Sequence, residues 1–238
     1  MKGPFSFLAR ALVLAALSLT LASGALAQSK GQDKSWGDGP FHFFFEPRAG
    51  VFLPTNDAIH DRYDYDVRNF LMGLRFGYLL ETGHLTIWPG TTLPGTLSFS
   101  LDSAYVRDEG REIVSPNPDL VLYLVPSAAS IEYAFRYKEE PWILPFIGGG
   151  FDTVYFREEV KLQPKNVVQG VRFGWHGETG LRFLFDRFDR HAESQMKQHY
   201  KFRNMWIALR ARYQTVKGFD TGIDLSGFTF DTSFVFEK

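Results

Sequence analysis

The sequence predicts an all-β protein, an eight-stranded antiparallel up-and-down transmembrane β-barrel. The first reason is that apolar and polar residues alternate repeatedly along segments of strand length. The second is that the chain has 24 Phe among 238 residues, although its mean hydropathy is slightly negative. Because successive residues of a strand point to opposite faces, such a chain separates its aromatic and polar residues by face rather than by segment.

The first 27 residues are predicted to be a cleaved secretory signal. Lys2 and Arg10 precede the apolar stretch "ALVLAALSLTL" at 11–21, and Ala25 and Ala27 suit cleavage after Ala27. The stretch is shorter than the roughly 20 residues of a membrane-spanning helix, and an uncleaved anchor is the alternative. Residues 28–40 are polar and Gly-rich, so we predict a flexible periplasmic leader before a barrel at 41–238.

Eight segments of the remaining chain carry the alternation, each near the length that a tilted strand needs to cross a bilayer. They are 41–52, 69–80, 97–106, 121–137, 145–156, 171–185, 205–213 and 227–238. The first and fifth alternate less cleanly, and Pro126 predicts a bend or bulge in the fourth. Between the strands we expect polar connections, one of them with helical character at 186–199.

The closing strand indicates which face is outside. Phe228, Phe230, Phe234 and Phe236 share one face, and Thr229, Asp231 and Ser233 share the other. Small polar side chains with isolated charges suit the interior of a narrow closed barrel, whereas bulky aromatic rings suit lipid. We therefore expect the four Phe side chains to face lipid. A soluble periplasmic ligand-binding barrel, with the two faces reversed, is the alternative.

The charged residues on the polar faces are predicted to form a paired network in the lumen, because buried charges must be compensated. The predicted network comprises Arg75, Asp102, Glu132, Arg172, His176, Glu178, Arg182, Arg210 and Asp231. His176 and Glu178, two residues apart on one face, leave an acid/base pair as the alternative.

No catalytic residue, metal site or cofactor is assigned from the sequence. Ser100, Ser130 and His42 could contribute to a lipid-modifying site, but nothing in the sequence places them together. Asp57, Asp61, Asp64 and Asp66 lack the spacing and the Gly of a calcium loop. The "GGG" at 148–150 is interpreted as kinks in a curved sheet. The chain has no Cys, and its formal net charge of −1 gives no basic field for nucleic acid.

One stretch resembles a known family. "FGWHGETGLRFLFDRFDRHAESQM" at 173–196, with the alternating aromatic residues of the last strand, resembles an uncharacterised family of Gram-negative outer-membrane β-barrel proteins. That family has a Gly-Trp-His strand and a Leu-x-Asp-x-x-Asp connection. The chain departs from it by continuing for two residues past Phe236, and by having Arg190 where a Pro is expected. The resemblance implies the cell outer membrane and no activity.

Together these features predict an outer-membrane barrel with a structural or binding role, a lumen filled by side chains and no open pore. The expected partners are outer-membrane lipid and lipopolysaccharide, the barrel-assembly machinery, and a small or lipidic ligand at the outer loops. An enzyme that modifies lipid of the outer leaflet is the alternative of a different class.

Overall fold

The structure is a computed structural model that describes residues 41–56, 70–82, 86–88, 91–92, 95–111, 119–136, 141–160, 167–185, 202–217 and 224–238. The predicted signal, the leader, the segment 186–199 and the four-Asp loop lie outside these residues. No helix in the described part of the chain is long and apolar enough to span a membrane.

The described residues form ten strands. They are β1 (Phe41–Pro54), β2 (Phe70–Glu81), β3 (Thr86–Trp88), β4 (Thr91–Thr92), β5 (Thr96–Arg111), β6 (Asp119–Ala134), β7 (Ile143–Val160), β8 (Val167–Leu184), β9 (Asn204–Lys217) and β10 (Gly227–Glu237).

Eight of these strands close into one antiparallel barrel in the order β1-β10-β9-β8-β7-β6-β5-β2. Each barrel strand pairs with its neighbour in the chain, and β1 pairs with both β2 and β10. Closure leaves the sheet without an open edge. The predicted eight-stranded barrel is therefore confirmed. The hairpin of β3 and β4, which lies between β2 and β5, was not predicted.

Four barrel strands are longer than a bilayer crossing requires. β5 and β6 have 16 residues and β7 and β8 have 18, whereas about 9–11 suffice to cross a bilayer. The predicted polar connections were too long, since 107–111 and 157–160 continue β5 and β7. Backbone pairing does not require apolar side chains, and Arg107 pairs across from Tyr123 with its guanidinium 6.0 Å from that ring's centre.

Pro126 lies beside an interruption in the ladder of β6 with β5, but it does not produce a bulge. The pairing of β5 with β6 passes from Ser103–Ser127 to Val106–Leu124 without a shift of register, although the positions between them are unpaired. Proline lacks the N–H that a ladder bond requires, but its fixed φ is compatible with an extended chain. The ladder with β5 is therefore interrupted, whereas the pairing of β6 with β7 continues through this point, with Pro126 opposite Val154.

The interior contains two apolar clusters, one toward each end of the barrel. We call the end where β1 begins and β10 finishes the terminal end, and the opposite end the distal end. The distal cluster comprises Phe52, Leu71, Ala104, Val106, Leu120, Leu122, Leu124, Val154, Phe156, Val216 and Leu225. The terminal cluster comprises Phe44, Leu79, Ala134, Leu144, Phe146, Leu184, Trp206, Ala208 and Val235. Charged residues lie between the two clusters.

Substitution of two glycines in β8 tests how closely the barrel wall is packed. A Cβ at inward-facing Gly180 would lie 2.1 Å from the carbonyl oxygen of Leu209 and 2.5 Å from the ring of Phe146, whereas a Cβ at outward-facing Gly177 would contact nothing within 4 Å. We expect Gly180→Ala to lower the free energy of unfolding by about 1–3 kcal/mol. Gly177→Ala is the control and should change it by less than about 0.5 kcal/mol. Urea unfolding in lipid vesicles measures both, and equal effects would contradict this packing.

Candidate functional site

A layer of charged side chains fills the lumen between the two apolar clusters, and we call it the charge layer. It comprises Glu46, Arg48, Arg75, Asp102, Glu132, Asp152, His176, Glu178, Arg182, Arg210, Arg212 and Asp231. None of them is more than 6% exposed. Every one of the eight barrel strands contributes at least one member, so the layer links all sides of the barrel wall.

The alternation of side chains along each strand places these residues inside. Arg210 and Arg212 are two apart on β9, as are His176 and Glu178 on β8, and each pair therefore shares the inward face. The ring of Phe146 lies beside the layer, 5.2 Å from the guanidinium carbon of Arg182 and 5.3 Å from that of Arg210. Such cation–π contacts are favourable where water is excluded.

The part of the layer nearer the terminal end pairs three Glu with three Arg, and we call it the Glu tier. Its members are Glu46, Glu132, Glu178, Arg75, Arg182 and Arg210. Arg75 Nη2 donates to Glu178 Oε1 at 2.7 Å, and Arg210 Nη1 donates to Glu46 Oε1 at 2.8 Å. Arg182 bonds directly to Glu132. Each carboxylate of the Glu tier therefore has a guanidinium partner.

The part nearer the distal end is built on three Asp, and we call it the Asp tier. Its members are Asp102, Asp152, Asp231, Arg48, Arg212 and His176. Asp102 accepts from Arg48 at 2.8 Å and from Arg212 at 3.2 Å, and Arg212 also bonds directly to Asp152. Arg210 donates to Asp231 at 3.2 Å, which connects the two tiers.

One part of the Asp tier has the connectivity of a catalytic triad. His176 Nε2 lies 3.1 Å from Ser130 Oγ, and His176 Nδ1 lies 3.1 Å from Asp152 Oδ2. A serine hydrolase uses this order of nucleophile, base and orienting carboxylate. Here all three side chains are buried in the lumen, and Arg212 Nη2 lies 2.9 Å from the same Nδ1.

The structure brings most of the sequence-predicted network into the charge layer, but not Arg172. That residue is half-buried toward the distal end, with its guanidinium carbon 5.3 Å from the ring centre of Phe156. Sequence reasoning omitted four members of the layer, Glu46, Arg48, Asp152 and Arg212. Arg212 could have been identified from its two-residue spacing to Arg210. The other three lie in the two segments that alternate least cleanly, 41–52 and 145–156.

Two of the three candidates for a lipid-modifying site come together, because Ser100 and Ser130 lie opposite each other in the pairing of β5 with β6. Ser100 Oγ accepts from Arg75 Nε at 2.8 Å, and Ser130 contacts His176. His42 lies at the terminal end, where Arg203 Nη1 donates to its Nε2 at 2.7 Å. The two serines are therefore neighbours in the lumen, whereas His42 makes separate contacts at the terminal end.

The two residues after Phe236 extend the barrel. The backbone N–H of Lys238 donates to the carbonyl of Phe43 at 2.8 Å, and Phe43 returns a bond to Lys238 at 3.1 Å. The buried carboxylate of Glu237 accepts from Asn204 Nδ2 at 2.8 Å. The departure from the family pattern at this end thus adds pairing between the last strand and the first.

No group of three or more ligating side chains that could hold a metal ion occurs within the described ranges. The Asp residues of the 57–66 loop lie outside those ranges, so the structure does not bear on them.

The outer face is the second notable feature of the barrel. Phe228, Phe230 and Phe234 are exposed, and Phe236 is half-buried with its ring centre 6.4 Å from that of Phe45. Among the described residues, the most exposed large apolar side chain is Phe151 in β7, at 77%. The outer wall is therefore apolar where the lumen is charged.

Buried and exposed ion pairs should respond differently to mutation. Arg75→Ala leaves Glu178 without its nearest cation in the enclosed lumen, so we expect the free energy of unfolding to fall by about 3–5 kcal/mol. Arg157→Ala breaks a contact with Glu159 in which the two side chains are 28% and 30% exposed, and should cost about 0–1 kcal/mol. Urea unfolding of the two variants in lipid vesicles measures the difference. Similar costs would mean that water reaches the charge layer.

Comparison with known proteins shows the fold and no family. The sequence matches no protein-family model and no curated protein. Among solved structures, outer membrane protein OprG from Pseudomonas aeruginosa aligns with a TM-score of 0.52 at 11% identity, over 84% of this chain and 96% of that one. The N-terminal β-barrel domain of Pseudomonas aeruginosa OprF has a TM-score of 0.45 at 10% identity, over 83% and 97%.

Neisserial surface protein A aligns with a TM-score of 0.45 at 14% identity, over 84% of this chain and 96% of that one. These comparisons do not test the resemblance to the Gly-Trp-His family, which stays a prediction. The match to OprG shows that this chain has the fold of an eight-stranded outer-membrane barrel.

Proposed function

We propose that this protein is an outer-membrane β-barrel with a structural or partner-binding role, whose lumen is filled by side chains and forms no open pore. The observation that carries the proposal is the inverted polarity of the barrel. Large apolar side chains cover the outside, and charged side chains fill the middle of the inside. Monomeric soluble proteins rarely expose extensive contiguous apolar surface, whereas lipid requires it.

The apolar outer surface runs around the whole barrel. Every barrel strand exposes at least one large apolar side chain, namely Phe45, Met72, Leu101, Ile131, Phe151, Trp175, Leu209 and Phe230. A soluble barrel with this exterior would expose it to water on all sides. A bilayer covers all of it without requiring a protein partner, which supports the membrane over a soluble periplasmic barrel.

The filled lumen supports a closed barrel. The charge layer and the two apolar clusters are buried, and they occupy successive levels along the barrel axis. An eight-stranded barrel is just wide enough for its own side chains. The charge layer then acts as a plug that holds opposite walls together.

The long strands support a binding role at the distal end. β7 and β8 exceed the bilayer-crossing length by about seven residues, which corresponds to roughly 20 Å of strand. Arg107 lies toward the distal end of β5, and Arg157 lies toward the distal end of β7. We propose that the distal end faces the outside of the cell, where the extensions can contact lipopolysaccharide head groups or a partner.

A lipid-modifying enzyme is the alternative, and the position of the triad-like group does not favour it. An enzyme acting on lipid needs a nucleophile within reach of its substrate. Ser130 and His176 are instead enclosed by the barrel wall. Substitution of His176 and Glu178 separates the two functions: a plug should lose stability, whereas an enzyme should lose activity with its fold intact.

The membrane location is tested by electrophoresis of isolated outer membranes in SDS, with unheated and boiled samples compared. We expect the protein in the membrane fraction, and the unheated protein should migrate differently from the boiled chain, because a closed barrel resists SDS until heated. Recovery in the soluble periplasmic fraction, with no change of electrophoretic mobility on boiling, would contradict the proposal.

A depth-dependent substitution tests lipid contact directly. Phe151 lies at the middle of β7 and Leu53 next to the distal end of β1, and both side chains are exposed. In lipid vesicles we expect Phe151→Arg to cost about 2–4 kcal/mol of unfolding free energy, and Leu53→Arg about 0–1 kcal/mol. Urea unfolding measures both. A barrel surrounded by water would tolerate the two substitutions equally.

A further inference from the structure

We propose that two arginines on the outer wall, Arg107 and Arg157, form a binding site for the phosphate of a phosphorylated glycolipid in the surrounding leaflet. They lie toward the distal ends of β5 and β7, on either side of Tyr123 in β6. We call these three residues the Arg-Tyr-Arg row. The inference deepens the function proposed above and rests on its membrane location.

The strand register brings the two arginines together. Tyr123 is paired with Arg107 on one side and with Arg157 on the other. Because neighbouring strands lie about 4.8 Å apart, the Cα atoms of the two arginines are about 10 Å apart. All three side chains lie on the outer face, Arg107 exposed and the other two half-buried. Two extended guanidinium side chains at this separation can reach one ligand placed over Tyr123.

The row lies where the apolar outer wall ends. Within β5 and β7, Arg107 and Arg157 are the first charged residues at outward positions counted from the terminal end, and each follows a Tyr by two residues, Tyr105 and Tyr155. From Phe151 at the middle of β7 to Arg157 is roughly 20 Å of strand, which rises about 15 Å in a barrel whose strands tilt by about 40°. This rise is about half the thickness of the hydrocarbon core, so the guanidinium reaches the level of the lipid head groups.

Aromatic contacts hold the row in place. The guanidinium carbon of Arg107 lies 6.0 Å from the ring centre of Tyr123, and the ring centre of Tyr105 lies 6.5 Å from that of Tyr123. Arg107 therefore lies against the side chain that separates it from Arg157. A guanidinium over a ring still presents the N–H groups of its edge to an acceptor, and their fork matches the oxygens of a phosphate.

One carboxylate of the outer face competes for the site. Arg157 bonds directly to Glu159, and the two side chains are 28% and 30% exposed. Exposed ion pairs of this kind are weak. A phosphate monoester carries more negative charge and three acceptor oxygens, so it can replace Glu159. The neighbouring acids Asp108 and Glu158 are buried, because they lie on the inward face of the same strands.

The wall below the row selects a lipid over a free anion. Leu101 of β5 and Phe151 of β7 lie below the two arginines and are exposed on the same face. A glycolipid places its phosphate at the row and its acyl chains against this apolar surface at the same time. Inorganic phosphate satisfies the row alone, so the combined surface fits a membrane lipid better.

Native mass spectrometry of the full barrel from detergent micelles tests the site. The probes are diphosphorylated lipid A and its dephosphorylated form, each titrated against the protein. We expect tighter binding of the phosphorylated form. Each cation near a membrane surface contributes about fivefold to the binding of anionic lipid, so Arg107→Gln/Arg157→Gln should weaken binding of the phosphorylated form by about 30-fold. Binding of the dephosphorylated form should not change.

Two further variants separate this site from a general attraction of cations to anionic lipid. Glu159→Gln removes the competing carboxylate and should tighten binding of the phosphorylated form, a gain that a damaged barrel would not produce. Lys217→Gln removes an exposed cation of β9, two strands from β7, and should leave the affinity nearly unchanged. Equal losses for Lys217→Gln and for either single Arg variant would overturn the site.

Failure of this inference is distinguishable from failure of the membrane location. The mobility shift between unheated and boiled samples shows whether each variant is still a closed barrel. A native barrel that lies in the outer membrane but binds both forms of lipid A equally would overturn the site alone, whereas a protein of the soluble periplasm would overturn both. Excess inorganic phosphate should leave the lipid bound, and release by it would contradict a site for lipid.

Discussion

The compensation of charge across a closed lumen is the constraint on which the rest of this structure depends. Closing eight strands into a ring places every second residue in a narrow space, and each charge there needs an opposite charge within reach. The contacts that meet this need run across the barrel. Arg75 of β2 reaches Glu178 of β8, and Arg210 of β9 reaches Glu46 of β1, although these partners are far apart in the chain.

The apolar clusters on either side of the charge layer make that constraint stricter. By keeping water from the layer they strengthen each ionic contact, and they also raise the cost of any charge that is left over. Buried ion pairs are weak evidence for stability, because replacing both partners with apolar groups is often neutral. Their contribution here is specificity. A slip of one residue in any strand would turn its charges outward and leave their partners uncompensated.

The same constraint bears on function. The group of Ser130, His176 and Asp152 has the connectivity of a hydrolase site, yet its surroundings are those of a structural network. Geometry between three residues is not sufficient evidence for catalysis, because the nucleophile must also lie within reach of a substrate. The outer face is equally informative. Apolar side chains are exposed on every barrel strand, and contact with lipid avoids the free-energy cost of exposing them to water.

The sequence by itself determined the fold class, the number of barrel strands and the face on which each strand residue lies. A period of two is a local property, so it can be read without knowing what surrounds the strand. It therefore placed Arg75 and Glu178 inside and Phe230 outside. The period does not give the height of each inward residue along the barrel axis. For that reason Arg172, whose guanidinium lies over the ring of Phe156 toward the distal end, was grouped with the charges in the middle of the lumen.

Height along the barrel was decided by the tertiary structure alone. It follows from the register of each pair of neighbouring strands, which adds up around the ring until β1 pairs with β10. The pairing of β7 with β8 also brought Asp152 against His176, and strand pairing continued into polar segments, where it does not require apolar side chains. The alternation along a strand is local and was readable, whereas the pairing of charges across the lumen exists only once the ring is closed.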